Sequence, residues 1–198
     1  NLIDDIRSRG NALTAGDVGY RYVVQALLDN GASDVLFDMN SRYDVPGYGY
    51  QLACGETALA ESWMSKDYLS HNHCMLGHLY SWLFNGLGGL SQAPGSVGYK
   101  EVVIDPQVVG DIRSARVAFE SPYGLIRSEW NDTPQTFRQT VEIPGNASAL
   151  VYLPTADPEA ISENGQPLDK IEGITVERKG DRTVLHVGSG VYNFSVRK

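Results

Sequence analysis

Positive charge is scarce in this chain: 16 Lys and Arg stand against 24 Asp and Glu, a formal charge of -8. That balance argues against nucleic acid or an anionic membrane as a partner, because both need clustered cations. A neutral substrate such as a sugar is compatible with it. Cysteine is also scarce. Cys54 and Cys74 pair only if the fold brings them together, and two thiols in 198 residues make no disulfide framework, so the compartment stays open. No apolar run is long enough to span a bilayer. Also missing are a Gly-x-Ser-x-Gly elbow, a phosphate loop and a Gly-x-Gly-x-x-Gly fingerprint, each the mark of a different enzyme class. His71, His73, Cys74 and His78 crowd together but match no standard zinc spacing, so neither a metal nor a cofactor is expected. The first residue is not Met, and Asn1 to Arg7 read as the tail of a helix already under way. The expectation is a piece of a longer protein.

What is present is an ordinary globular composition, 42% hydrophobic and 20% charged. The pattern changes near residue 95. Before it, helical spacing dominates: a first helix ends at Arg9-Gly10, and a second begins at Asp17 and stops at Asn30-Gly31. A third starts at Ser33, a short turn covers Gln51 to Cys54, and an extended stretch runs on through Glu61. A last helix spans 72–87 with Leu76, Leu79, Tyr80, Leu83, Phe84 and Leu87 on its buried side. From Tyr99 onward, β-branched residues at period two predict strands over 101–104, 112–120, 124–131, 136–143, 149–153, 175–179, 182–187 and 190–196. Many short strands without intervening helices predict a β-sandwich. The Pro-containing, small-residue stretch Ser91–Gly98 reads as a linker, giving domains over 1–94 and 95–198.

The chemistry-bearing residues gather in the first half. Glu61 lies two residues before Trp63, and a carboxylate beside an indole is the equipment of a sugar-cleaving site. The plain alternative is a solvated Glu preceding a core Trp. Glu56, five residues earlier, is a second carboxylate. Asn72-His73 puts two polar groups at the start of an apolar segment, with His73 the functional candidate. Tyr43, Asp44, Tyr48 and Tyr50 occupy a Gly-Pro loop where rings either line a cleft or pack on the nearest helix. Thr14 to Asp17 is either a helix cap or the rim of a site.

Taken together, Leu13-Thr14-Ala15-Gly16-Asp17-Val18-Gly19, Pro46-Gly47-Tyr48-Gly49-Tyr50, the run Gly55 to Trp63 and Ser70-His71-Asn72-His73 resemble the C-terminal part of α-L-rhamnosidases of glycoside hydrolase family 78. The resemblance covers essentially the whole chain, and its most specific piece is Gly-x-Thr-x-x-x-Glu-x-Trp followed by Asn-His. It implies an α+β protein in two domains: terminal helices of an (α/α)6 toroid followed by a C-terminal antiparallel β-sandwich. It further implies an inverting glycosidase with Glu61 as general base. His73 is then a rhamnose-pocket residue, with Trp63, Tyr50 and Asn72 as further substrate-binding or supporting residues, and the partner is a rhamnose-containing glycan. A bacterial periplasmic or secreted parent fits that reading. Two departures stand out. Ala60 replaces a Trp usual before the Glu, and nothing before Leu13 resembles the family's acidic, Arg-containing general-acid motif. The expectation is therefore an inactive fragment that self-associates through uncovered helix faces. The alternative is a non-catalytic carbohydrate-binding or structural module, with Tyr123, Trp130 and Tyr192 as its candidate platform.

Overall fold

Apolar residues at helical spacing form α1 (Leu2–Ser8), α2 (Asp17–Asp29), α3 (Ser33–Asn40) and α4 (Tyr48–Ala53) in the computed structural model, which describes residues 1–198. No helix is long and apolar enough to cross a membrane. A capping box closes the start of α1, where the Asn1 side chain accepts from the Asp4 amide and the Asp4 carboxylate accepts in return from the Asn1 amine. Tyr20, Val24 and Leu27 form the buried stripe of α2. Neither Asp17 nor Ser33 is the cap. Gly16 and Ala32 hold those positions, and the Ser33 hydroxyl is taken by a tertiary bond from the Trp82 indole N–H at 3.0 Å.

The continuous helix expected over 72–87 is not there. Asn72 and His73 lie outside regular structure, a 3₁₀ turn covers Cys74–Leu76, a single α turn Leu79–Ser81, and a π-helix Trp82–Leu87. The His73 amide donates to Leu59 O at 2.6 Å, which diverts the chain before a helix can start. The π segment widens the turn and shifts the side-chain register. Leu83 within it and Tyr80 just before it, both expected inside, are exposed, whereas Leu76 and Leu87 are buried. The stretch before Glu61 is also not extended. It consists of turns between α4 and the 3₁₀ segment.

The second half is built of strands, with 3₁₀ turns only at Pro158–Ala160 and Leu168–Lys170: β1 (Leu90–Gln92), β2 (Glu101–Ile104), β3 (Ser114–Ser121), β4 (Gly124–Asp132), β5 (Thr136–Ile143), β6 (Ser148–Leu153), β7 (Ile161–Glu163), β8 (Gln166–Pro167), β9 (Thr175–Lys179), β10 (Arg182–Val187) and β11 (Gly190–Arg197). They form a five-stranded sheet, β1-β2-β6-β10-β9, and a six-stranded sheet, β3-β4-β5-β11-β7-β8. Every pairing is antiparallel except β2 with β6, which run parallel from Glu101↔Ser148 to Ile104↔Val151. Period-two patterning puts Phe137, Gln139, Val141 and Ile143 of β5 inside. Their core partners include Trp130, Val151, Leu185 and Phe194.

Two compact units result, Asn1–Leu83 and Phe84–Lys198. The divide lies earlier than the linker-like stretch suggests, because Leu90–Gln92 is a strand paired with Val102–Ile104. Three residues are too few to show a period, so the strand was invisible in the sequence, as were β7 and β8.

Candidate functional site

Gln51 is the starting point of the site in the helical unit. It sits on α4 and is only 3% exposed. Its side-chain nitrogen donates to Ser62 O at 3.0 Å and to Ala60 O at 3.5 Å, and its oxygen accepts from the Ala60 amide at 3.3 Å. The strand of chain carrying Glu61 is thus held on both sides of that residue. On its other edge the Glu61 amide donates to Ser70 O at 2.8 Å. The Ser70 amide returns a bond to Glu61 Oε2 at 3.1 Å. Oε1 receives no hydrogen bond from the protein and remains available. Glu61 itself is exposed.

Trp63 is buried, and its indole N–H donates to Ala15 O at 2.7 Å. Tyr20 and Tyr48 each meet the indole edge to face with centroids 5.0 Å apart. Burial raises both phenol pKa values, that of Tyr48 to about 12. Both phenols therefore stay neutral at ordinary pH, and Tyr48 donates its O–H to Leu76 O. The loop before α4 packs closely: a Cβ on Gly49 would come within 2.1 Å of Arg42 O. Only glycine fits there.

These walls enclose an open cleft of about 440 Å³ lined by residues that include Leu13, Asp17, Glu61, Trp63 and Leu76. The lining combines apolar Leu13, Trp63, Met64 and Leu76 with the carboxylate residues Asp17 and Glu61, a mixture that suits a sugar ring with its apolar faces and hydroxyl edges. His73 approaches this wall through Asp17, its Nε2 3.8 Å from Asp17 Oδ2.

Of the residues singled out in the sequence, Glu61 and Trp63 share the cleft, and His73 reaches one of its lining carboxylates. Tyr50 and Asn72 are not among the lining residues. Tyr50 is half-buried, and exposed Asn72 donates its amide to the Ser70 hydroxyl at 3.2 Å. Glu56 lies in a separate recess with Tyr48, Leu52 and Leu59. It pairs with His71 Nδ1 at 2.8 Å, which raises the His71 pKa chiefly through that hydrogen bond. The thiols of Cys54 and Cys74 are free and exposed. Asp17, offered within Thr14 to Asp17 as a cap or the rim of a site, lines the cleft, whereas Gln51 was missed. A lone Gln in a short helix carries no signal.

Of the three aromatics singled out in the sandwich, Tyr123 is exposed and lines an open cleft with Lys100, Glu101 and Asn146. Trp130 is 1% exposed and its N–H donates to Leu87 O at 2.7 Å, so it is core and not a sugar-stacking surface. Tyr192 stacks on Phe194 with an interplanar angle of 5°.

Helices bearing a cleft with carboxylates, followed along the chain by a β-sandwich, form an arrangement shared with a known class of proteins. The comparisons name it. Residues 1–87 match the family model of the bacterial alpha-L-rhamnosidase 6 hairpin glycosidase domain, and residues 89–167 that of the bacterial alpha-L-rhamnosidase C-terminal domain. An alpha-L-rhamnosidase of Streptomyces avermitilis is 28% identical over 98% of this chain and 19% of its own length. One of Formosa agariphila is 28% identical over 98% of this chain and 21% of its own. Among solved structures, the alpha-L-rhamnosidase from Dictyoglumus thermophilum superposes with a TM-score of 0.88 at 27% identity, covering 100% of this chain and 22% of that one. The Streptomyces avermitilis enzyme, solved in complex with L-rhamnose, gives 0.85 at 27% identity, covering 98% and 19%. The chain is homologous to the C-terminal part of α-L-rhamnosidases, which are glycosidases, and spans about a fifth of their length.

Proposed function

We propose that this chain is the C-terminal part of an inverting α-L-rhamnosidase in which Glu61 is the general base. The observation that carries this is the Glu61 carboxylate on the cleft wall, with Oε2 held by the Ser70 amide and Oε1 unpartnered. A carboxylate held this way keeps one lone pair aimed at a fixed point, as a base must to take a proton from an attacking water. In an inverting reaction that water attacks the anomeric carbon from the face opposite the leaving group. A second carboxyl, roughly 6.5–9.5 Å away, protonates the departing oxygen. Trp63 forms the apolar wall beside Glu61, and His73 acts on the sugar through its approach to Asp17, whose carboxylate accepts from sugar hydroxyls. Tyr50 and Asn72 support the loop and the turn that flank these groups.

No residue of this chain resembles the proton donor, which is therefore supplied by a part of the parent enzyme outside these residues. The isolated chain is then inactive, since loss of a general acid alone removes about 10²–10⁴-fold of rate. The test is turnover of an aryl α-L-rhamnoside by the isolated chain, by the full-length enzyme, and by that enzyme carrying Glu61→Gln. Activity only in the unsubstituted full-length enzyme, with β-L-rhamnose as the first anomer seen by NMR, is the expected result. Turnover by the isolated chain, or an active Glu61→Gln enzyme, sinks the proposal.

A further inference from the structure

A base on a surface segment is only as good as the rigidity of its backbone, and the bonds that supply it here come from an unexpected side chain. Ala60 and Ser62, the neighbours of Glu61 on either side, belong to a stretch of turns with no helix or strand ladder to hold it. Ala60 is 1% exposed, so its amide has no water to bond and needs a protein partner. Gln51 provides it. The side-chain amide of Gln carries one acceptor and a two-proton donor, and this one uses both ends: Oε1 accepts from the Ala60 amide, and Nε2 donates to Ser62 O and Ala60 O. Of the two peptide planes that flank the Glu61 Cα, Gln51 bonds the first through Ala60 O at 3.5 Å, and its bonds to the Ala60 amide and Ser62 O hold the next plane out on either side. From outside, Glu61 and Ser70 exchange their own pair of bonds.

We propose that Gln51 is the positioning residue of Glu61: a buried amide that never meets the sugar but fixes the orientation of the carboxylate that does. This rests on the assignment of Glu61 as the base. Gln is suited to the task because its uncharged amide places a donor and an acceptor side by side at the end of one flexible stem. A carboxylate could satisfy the Ala60 amide but would repel the carbonyls of Ala60 and Ser62 unless it were protonated.

The experiment uses the full-length enzyme that carries this segment, with three variants. Gln51→Met keeps length and volume and removes every bond. It is expected to lower kcat by about 10–100-fold, the cost of a misplacement on the order of 1 Å, with KM changed by less than about threefold because the cleft walls remain. Gln51→Glu is expected to introduce a new ionisation into the kcat–pH profile, with activity recovering as the pH falls and the new carboxyl becomes a donor. A merely structural role would not create that limb. Glu61→Gln separates the two assignments. If it stays active, the base assignment fails. If it is dead while Gln51→Met keeps its kcat and Gln51→Glu keeps the parent pH profile, only the role of Gln51 falls. A measurement without substitution covers the case of unfolded variants. In the 198-residue chain the Gln51 side-chain amide protons should exchange slowly with solvent and show contacts to Ser62, and a freely exchanging, mobile Gln51 amide overturns the proposal.

Discussion

The two units treat their large apolar side chains in opposite ways. In Phe84–Lys198, Trp130, Phe137 and Phe194 close into one core between two sheets. The helical unit has a core too, around Tyr20, Leu36 and Trp82, yet it leaves Val18, Tyr22, Leu52, Tyr68 and Tyr80 open to solvent. A sandwich buries both inner faces by itself, whereas each helix of a toroid needs neighbours on two sides. The candidate site around Glu61 sits in the unit with the larger share of exposed apolar side chains.

The contrast can be broken or sharpened by measurement. Trp130→Ala removes the largest fully buried side chain of the sandwich and should cost about 3–5 kcal/mol, read from urea unfolding. A loss under about 1 kcal/mol would show that the sandwich core is less tightly closed than its packing indicates. Ser33→Ala leaves the buried indole N–H of Trp82 without its 3.0 Å partner and should cost about 1–3 kcal/mol. Limited proteolysis should report that loss as faster cleavage within 1–83 and unchanged resistance within 84–198.

Tyr22→Glu, at an exposed position of α2, should change stability by about 0.5 kcal/mol or less while reducing self-association of the isolated chain in light scattering. A clean monomer before any substitution would count against an uncovered face. The smallest effect concerns pH. The pKa of His71 is raised by Glu56, so the contribution of this pair is fully present below the ordinary histidine value of about 6.5. It is lost as pH rises through the raised one. NMR titration should show an elevated His71 midpoint that returns to normal in Glu56→Gln.

The same contrast governs how much the sequence revealed. Strands over 101–104, 136–143, 175–179 and 182–187 were legible to the residue; half-buried 136–143 writes its period locally, while 175–179 is exposed along its whole length. The terminal segment of the helical unit was not. Its apolar residues at 76, 79, 80, 83, 84 and 87 satisfy a helical period, but a π turn and the tertiary bond at His73 decided the outcome. Glu61 and Trp63 were legible as a pair, since a carboxylate beside an indole is unusual. That they face one cleft with Asp17 depends on the Trp63–Ala15 bond across 48 positions, which no local pattern announces. Gln51 was silent for the same reason: its partners lie 9 and 11 residues away.

The absent side chain of Gly49 has a consequence for searching sequences. A methyl group at that position would collide with a carbonyl oxygen and not with a flexible tip, so the loop before α4 is an all-or-nothing design. A homologue keeping Glu61 and Trp63 but bearing any side chain at position 49 must route its backbone differently. For sorting distant sequences by whether they build this cleft, a hydrogen at residue 49 is a stricter filter than the carboxylate twelve residues later.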